Sequence, residues 1–274
     1  MRVTVLGASG MLGHVVARYL SEAGYPVQTP DRRFEPESPA GFLESLRATQ
    51  PEAVVNCIGI RAGATPQALM DTHVQLVERS LECLQGGGAR FIQASTDGIF
   101  RPDLGDRRTE EPGDATDDYG RSKWMAEQRV RSAGGCVIRC SLLGPELKAP
   151  KSLMGWFLTQ RGPVRGFVNQ AWNGITTLQW ARVCQGLLEA GSPPPVCQPG
   201  FWPAISKEEV LRLIAEAWGR VVEICPEAAS QPVLRTLSPD IVCPPLAIQL
   251  HQLRAWYTPR FEEPRTDSVG RDSS

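Results

Sequence analysis

The chain has 274 residues, 29 Lys and Arg against 30 Asp and Glu, and a formal net charge of −1, enough for one large core or a core with a smaller lobe. With no basic stripe, a nucleic-acid partner is not expected, and with no apolar run of spanning length and no charged leader ahead of an apolar stretch, a soluble cytoplasmic protein with no membrane partner is. The eight cysteines contain no C-x-x-C pair and the three histidines are scattered, so reduced thiols are expected and a metal site is not.

Residues 2–6 form a short β-branched apolar run that opens into Gly7-Ala8-Ser9-Gly10-Met11-Leu12-Gly13, after which Val15, Val16, Tyr19 and Leu20 recur at helical spacing. Strand, glycine turn and helix make a dinucleotide cradle. Gly7 allows the tight turn, Gly10 lets backbone approach a pyrophosphate at the helix N-terminus, and Gly13 lets helix pack on strand. Ser9, Met11 and Leu12 line the same turn. The spacing is G-x-x-G-x-x-G, and a plain glycine turn without a ligand is the competing reading.

A second strand is expected over 25–29, ending at Asp31-Arg32-Arg33. An acid there accepts hydrogen bonds from an adenosine ribose and favours NAD, whereas Arg32 or Arg33 would pair with a 2′-phosphate. NADP(H) is favoured, with NAD(H) kept open. A helix over 42–49, a buried strand over 53–58 closing on Gly59, a helix over 68–84 and a strand over 91–94 follow. The next strand, 136–139, comes after a helix that carries Tyr119 and Lys123. Strands alternating with helices predict an α/β fold: a Rossmann-type doubly wound parallel sheet with a smaller C-terminal substrate lobe. Gly7, Asp31, Asn56, Gly59, Ser95 and Thr96 all follow strand ends, the edge where such sheets bind ligands.

Tyr119 and Lys123 stand at i and i+4 and so share a helix face. An ammonium there stabilises a phenolate, giving an acid/base suited to carbonyl reduction. Such pairs also arise by chance, so the neighbouring motifs decide.

Together, Gly7-x-x-Gly10-x-x-Gly13, Asn56-Cys57-Ile58-Gly59, Ser95-Thr96-Asp97 and Tyr119-x-x-x-Lys123 resemble the extended short-chain dehydrogenases/reductases over roughly the first 190 residues. Ser95-Thr96-Asp97-Gly98-Ile99-Phe100, Glu111, Tyr119-Gly120-Arg121-Ser122-Lys123 and Glu127 look like the dTDP-4-dehydrorhamnose reductase branch. The resemblance implies reduction of the 4-keto group of a nucleoside-diphosphate deoxysugar, in deoxysugar or surface glycan synthesis. Tyr119 would protonate the nascent alkoxide, Lys123 would depress its pKa and hold the nicotinamide ribose, and Thr96, with Ser95 beside it, would orient the carbonyl. Cys57, Ile58 and Gly59 would border the cofactor. A turn-capping role is the plainer reading of Ser95 and Thr96. Dehydratases of the superfamily place an acid after the Thr-Asp pair and the reductase branch usually a tyrosine. Gly98 stands there instead, which disfavours dehydration and is expected to leave room for a bulky sugar substituent. An epimerase with retained NAD and a non-catalytic NADP-binding regulatory subunit share the pattern.

Domains are expected at 1–144 (cofactor), 145–258 (mostly substrate lobe, with segments returning to the sheet) and 259–274 (a disordered tail). In the lobe, 161–166 reads as a turn with two cations, and Thr176 and Gln179 stand at capping-box spacing before a helix. Helices are expected at 152–158 and 208–218, and 249–257 is expected to be the last ordered element. Arg139, Arg165 and Trp172 are candidates for nucleotide or pyrophosphate contacts, since Arg pairs with phosphate and aromatics stack on bases. A packed Trp172 and a solvated Arg165 are the alternatives. A nucleoside-diphosphate sugar is the expected partner, and a homodimer is left open.

Overall fold

The computed structural model describes residues 1–60, 63–148 and 150–261. The first half runs β1 (Val3–Leu6), α1 (Gly13–Glu22), β2 (Val27–Gln28), α2 (Ala40–Ala48), β3 (Ala53–Asn56) and α3 (Pro66–Met70). A π-helical turn (Asp71–Gln75) leads into α4 (Leu76–Leu84), then β4 (Arg90–Ser95), a 3-10 turn (Asp97–Ile99), α5 (Asp118–Ser132), β5 (Cys136–Arg139) and β6 (Leu142–Leu143). After these come α6 (Leu153–Leu158), β7 (Val164–Phe167), β8 (Gln170–Trp172), β9 (Ile175–Thr176), α7 (Thr177–Glu189), β10 (Val196–Cys197) and β11 (Pro199–Gly200). The chain closes with β12 (Ile205–Ser206), α8 (Lys207–Trp218), β13 (Ile224–Glu227), β14 (Val233–Arg235), β15 (Ile241–Val242) and α9 (Leu246–Tyr257).

Six strands make one parallel sheet, ordered β10-β5-β4-β3-β1-β2. Both faces are covered, so successive residues bury on opposite sides and the strands read as continuous apolar runs. Val3, Val5, Val55, Ile92 and Ile138 join the core with α1 and α7. Leu6, Val54, Phe91 and Val137 join the one with α2, α4 and α5. Sheet growth reverses between β1 and β3, which makes their carboxyl ends the switch point where ligands sit.

The second lobe has a three-stranded sheet, β12-β8-β14, and the pair β13-β7. Its core joins Met154, Phe157, Trp172, Phe201 and Ile214 to Leu250 and Leu253 of α9 and to Val15 of α1. Residues 164–167, at the end of the expected turn, are strand β7. The pairing partner that makes them so, Val164 opposite Ile224, is remote in sequence. The helix expected over 68–84 is interrupted by the π turn, which presents His73 to neighbours on both sides. Thr176 caps α7 by accepting from Gln179 N–H, while its own N–H donates to Gln249 of α9, so only half of a capping box forms. Of the expected tail, residues 262–274 lie outside the described ones. Arg260 is held by Glu22 and Phe261 stacks on Tyr257, so a tail does not begin at 259. Among the described residues no helix is long and apolar enough to cross a membrane.

Candidate active site

The glycine turn is shaped by close approach. Gly7 adopts φ +79°, a left-handed conformation that favours glycine, and a Cβ on Gly13 would overlap the Gly7 carbonyl. Helix α1 starts without a side-chain cap, so its first N–H groups face the space above β1, the donor set and positive dipole end that a pyrophosphate takes. His14 reinforces the turn from behind: its Nδ1–H donates to the Gly10 carbonyl (2.7 Å) and its Nε2 accepts from the Tyr257 hydroxyl (3.1 Å). These residues fit a dinucleotide. They do not choose between its two forms. One Asp31 carboxylate oxygen accepts from Ser45 (2.5 Å), and Arg32 and Arg33 are exposed with no ion pair among the described residues. A pocket of about 390 Å³ between β2 and α2 is lined in part by Thr29, Asp31, Arg32 and Ser45 and contains none of the expected catalytic residues.

A buried polar chain runs from the turn after β3 to α5. Asn56 accepts from Ile58 N–H (3.0 Å) and donates to Gln93 (2.9 Å). Gln93 donates to the Ala94 carbonyl (2.9 Å), which also accepts from Lys123 Nζ (2.7 Å). Cys57, Ile58 and Gly59 border this path, and a Cβ on Gly7 would lie 3.1 Å from Ile58 N. His73 closes it: Nε2 accepts from Ile60 N–H (3.2 Å), and Nδ1 pairs with Ser122 Oγ (2.8 Å). Burial lowers the His73 pKa to about 3, so its ring is neutral. Neither Gln93 nor His73 was singled out from sequence. A polar residue inside an otherwise apolar strand was the available sign for Gln93.

Tyr119 lies in the first turn of α5, whose N-cap Asp117 accepts from Gly120 N–H (2.8 Å). Gly120 packs directly on the Gly98 carbonyl, where a Cβ would overlap it. That contact brings Tyr119 onto the 3-10 turn. Thr96 caps this turn, accepting from Gly98 N–H (3.0 Å) and donating to Asp97 (3.0 Å), and its hydroxyl and the Tyr119 ring both flank Gly98. Burial pushes the Tyr119 pKa up; the Thr96 hydroxyl and the Arg235 charge pull against it, and the Asp97 charge adds to the rise. Lys123 is buried with its ammonium on the Ala94 carbonyl, and burial lowers its own pKa to about 8.

Three of the four residues expected to touch substrate are turned inward. Arg139 is 0% exposed, ion-paired to Glu127 (2.7 Å) and bonded to Gln198 (2.7 Å). Ser95 donates to the same Glu127 (2.5 Å). Trp172 is packed in the lobe core against Phe201. A charge at the sheet's carboxyl edge must be paired when the lobe covers it, and Glu127 does this for Arg139. Arg165 is exposed on β7, paired with Glu227 (3.4 Å).

Residues near the site from the far end of the chain were missed. Arg235 donates to the Phe100 carbonyl (3.3 Å), and Lys207 lies 5.5 Å from the Trp172 ring centroid. Both act electrostatically on Asp97, whose pKa burial raises. The expected gap at Gly98 is not open space either: a Cβ there would lie 3.1 Å from Tyr119 Cε1 and 3.2 Å from Thr96 Oγ1.

The sequence model of the NAD dependent epimerase/dehydratase family matches residues 3–160. No curated protein matches the chain. Among solved structures, dTDP-4-dehydrorhamnose reductase from Bacillus anthracis str. Ames, in complex with NADP, aligns with TM-score 0.80 at 16% identity over 93% of this chain and 99% of that one. The corresponding reductase from Yersinia enterocolitica gives 0.76 at 16% identity, over 93% and 98%. The dTDP-glucose 4,6-dehydratase of Bacillus anthracis str. Ames, in complex with NAD, gives 0.74 at 17%, over 95% and 97%. At these identities the likeness is one of fold.

Proposed function

The chain belongs to the NAD dependent epimerase/dehydratase family and is an NAD(P)-dependent oxidoreductase, and from that premise we propose that it reduces the 4-keto group of a nucleoside-diphosphate sugar. The observation that carries this reading is the convergence of the Tyr119 phenol and the Thr96 hydroxyl beside Gly98, with no second acid at the position where dehydration would need one. The bound nicotinamide supplies hydride. Tyr119 gives its proton to the oxygen of the reduced carbonyl, and Thr96 holds that oxygen by a hydrogen bond. Lys123 keeps a positive charge under the site, tied to Ala94, and the α1 N-terminus with its glycine turn holds the pyrophosphate. NADPH is the proposed cofactor, because Arg32 and Arg33 are uncommitted cations at the end of β2 whereas Asp31 is engaged by Ser45.

Steady NADPH oxidation, followed by absorbance, with dTDP- and UDP-linked 4-keto sugars tests the proposal. Turnover with one of them is expected. NADP binding with no turnover of any would overturn it in favour of a regulatory role.

A further inference from the structure

We propose that His73 is a positioning residue: its imidazole, anchored at both nitrogens, holds the Tyr119 ring in the orientation from which the phenol hands over its proton. This deepens the function proposed above and rests on the role given there to Tyr119.

Tyr119 needs support from outside because its own helix supplies little. It is the second residue of α5, so its N–H is one of the four at a helix start that lack an intrahelical acceptor. Holding its side chain in one rotamer there costs conformational entropy that packing must offset. Two contacts do so. Gly98 lies against the ring, where an added Cβ would be 3.1 Å from Cε1. His73 meets it edge to face, with ring centroids 5.6 Å apart and planes at 75°.

A wall holds a ring only if the wall itself is fixed. His73 is 2% exposed and sits in the middle of the π turn Asp71–Gln75, a local widening of the helix of the kind that recurs at functional sites. Ile60 N–H donates to Nε2 (3.2 Å), which leaves the proton of the neutral ring on Nδ1, where it is donated to Ser122 Oγ (2.8 Å). Ser122 in turn donates to the Tyr119 carbonyl (2.8 Å). One tautomer therefore satisfies every member of the chain. A half-turn of the imidazole would set carbon where each nitrogen stands and break both bonds. A ring kept only for its bulk would not need both nitrogens engaged. The same side chain also spans two parts of the site. Ile60 follows the turn after β3, where Ile58 N would lie 3.1 Å from a Cβ on Gly7 of the glycine turn, while Ser122 and Tyr119 belong to α5. The dinucleotide cradle and the proton donor are thus joined through His73.

The test is carbon-13 NMR of the full chain with ring-labelled tyrosine in the presence of NADP. The chain has 4 tyrosines, and Tyr119→Phe identifies the signal of Tyr119. The wild type should give one sharp Tyr119 signal. In His73→Gln, whose amide keeps a partner for Ile60 or Ser122 but has no ring, that signal should broaden or split while those of Tyr19, Tyr25 and Tyr257 stay in place. A single sharp Tyr119 signal in this variant would overturn the inference. Ser122→Ala, which frees Nδ1 and keeps the ring, should loosen Tyr119 to a lesser degree. It carries the test if His73→Gln fails to fold, as read by NADP affinity and the melting temperature. In turnover of a 4-keto sugar nucleotide, His73→Gln should lower kcat by about 10- to 100-fold and leave KM within about twofold. A raised KM with kcat kept would assign His73 to substrate binding, and a lowered melting temperature alone would assign it to packing; either result overturns the inference. Failure of the wild type to turn over any 4-keto sugar would overturn the proposed function, and the NMR comparison would still decide whether His73 holds the Tyr119 ring.

Discussion

Gly98 and Tyr119 are in close contact: a Cβ on Gly98 would sit 3.1 Å from Tyr119 Cε1, so the ring would have to give by a few tenths of an ångström. The residue is needed for this approach and does not open a chamber. Gly98→Ala is accordingly expected to lower kcat by about tenfold through a shift of the Tyr119 ring, with NADP affinity and the melting temperature little changed. Steady-state kinetics beside a thermal melt checks this; an unchanged kcat would mean that the ring yields without loss.

Tyr119→Phe removes the proposed proton donor and leaves the ring packing. Activity should drop by about 10²- to 10⁴-fold while the cofactor still binds, as read by NADPH oxidation and by titration of NADPH fluorescence.

Burial lowers the Lys123 pKa to about 8, so the ammonium is present below that pH and is lost as pH rises through it. Activity that depends on its charge should decline above about pH 8. A rate profile flat to pH 10 would show that the charge is not used.

Glu127 is the hub of the buried cluster, accepting from Ser95 and pairing with Arg139. Glu127→Ala leaves a buried guanidinium uncompensated, for a cost of about 3–5 kcal/mol that denaturant unfolding would register. Arg139→Met should likewise lower stability without acting selectively on substrate KM; a selective rise in KM would return Arg139 to the substrate.

Burial holds His73 neutral, with a pKa of about 3 against an unfolded value near 6.5. The unfolded chain therefore takes up a proton that the folded chain refuses, and stability present above about pH 6.5 is lost as pH falls toward 3. His73→Asn should flatten that acid-side decline in melting temperature.

The strand–glycine–helix entry and the placing of Tyr119 four residues before Lys123 were legible in the chain because both are local: φ at Gly7 and the helical period need no distant partner. The alternation of strands and helices carried the parallel sheet for the same reason. Direction of side chains was not legible. Ser95 and Arg139 stand at strand ends just as Thr96 does, yet Glu127 draws the first two inward, and Lys123 donates to the Ala94 carbonyl, a partner no spacing announced. Nor could local pattern place Arg235 on Phe100, 135 residues earlier, or make residues 164–167 a strand against β13. Periodicity settles which face of an element is buried. Which polar groups are paired there, and which are left for a ligand, depends on desolvation and on partners that only the closed lobe brings within reach.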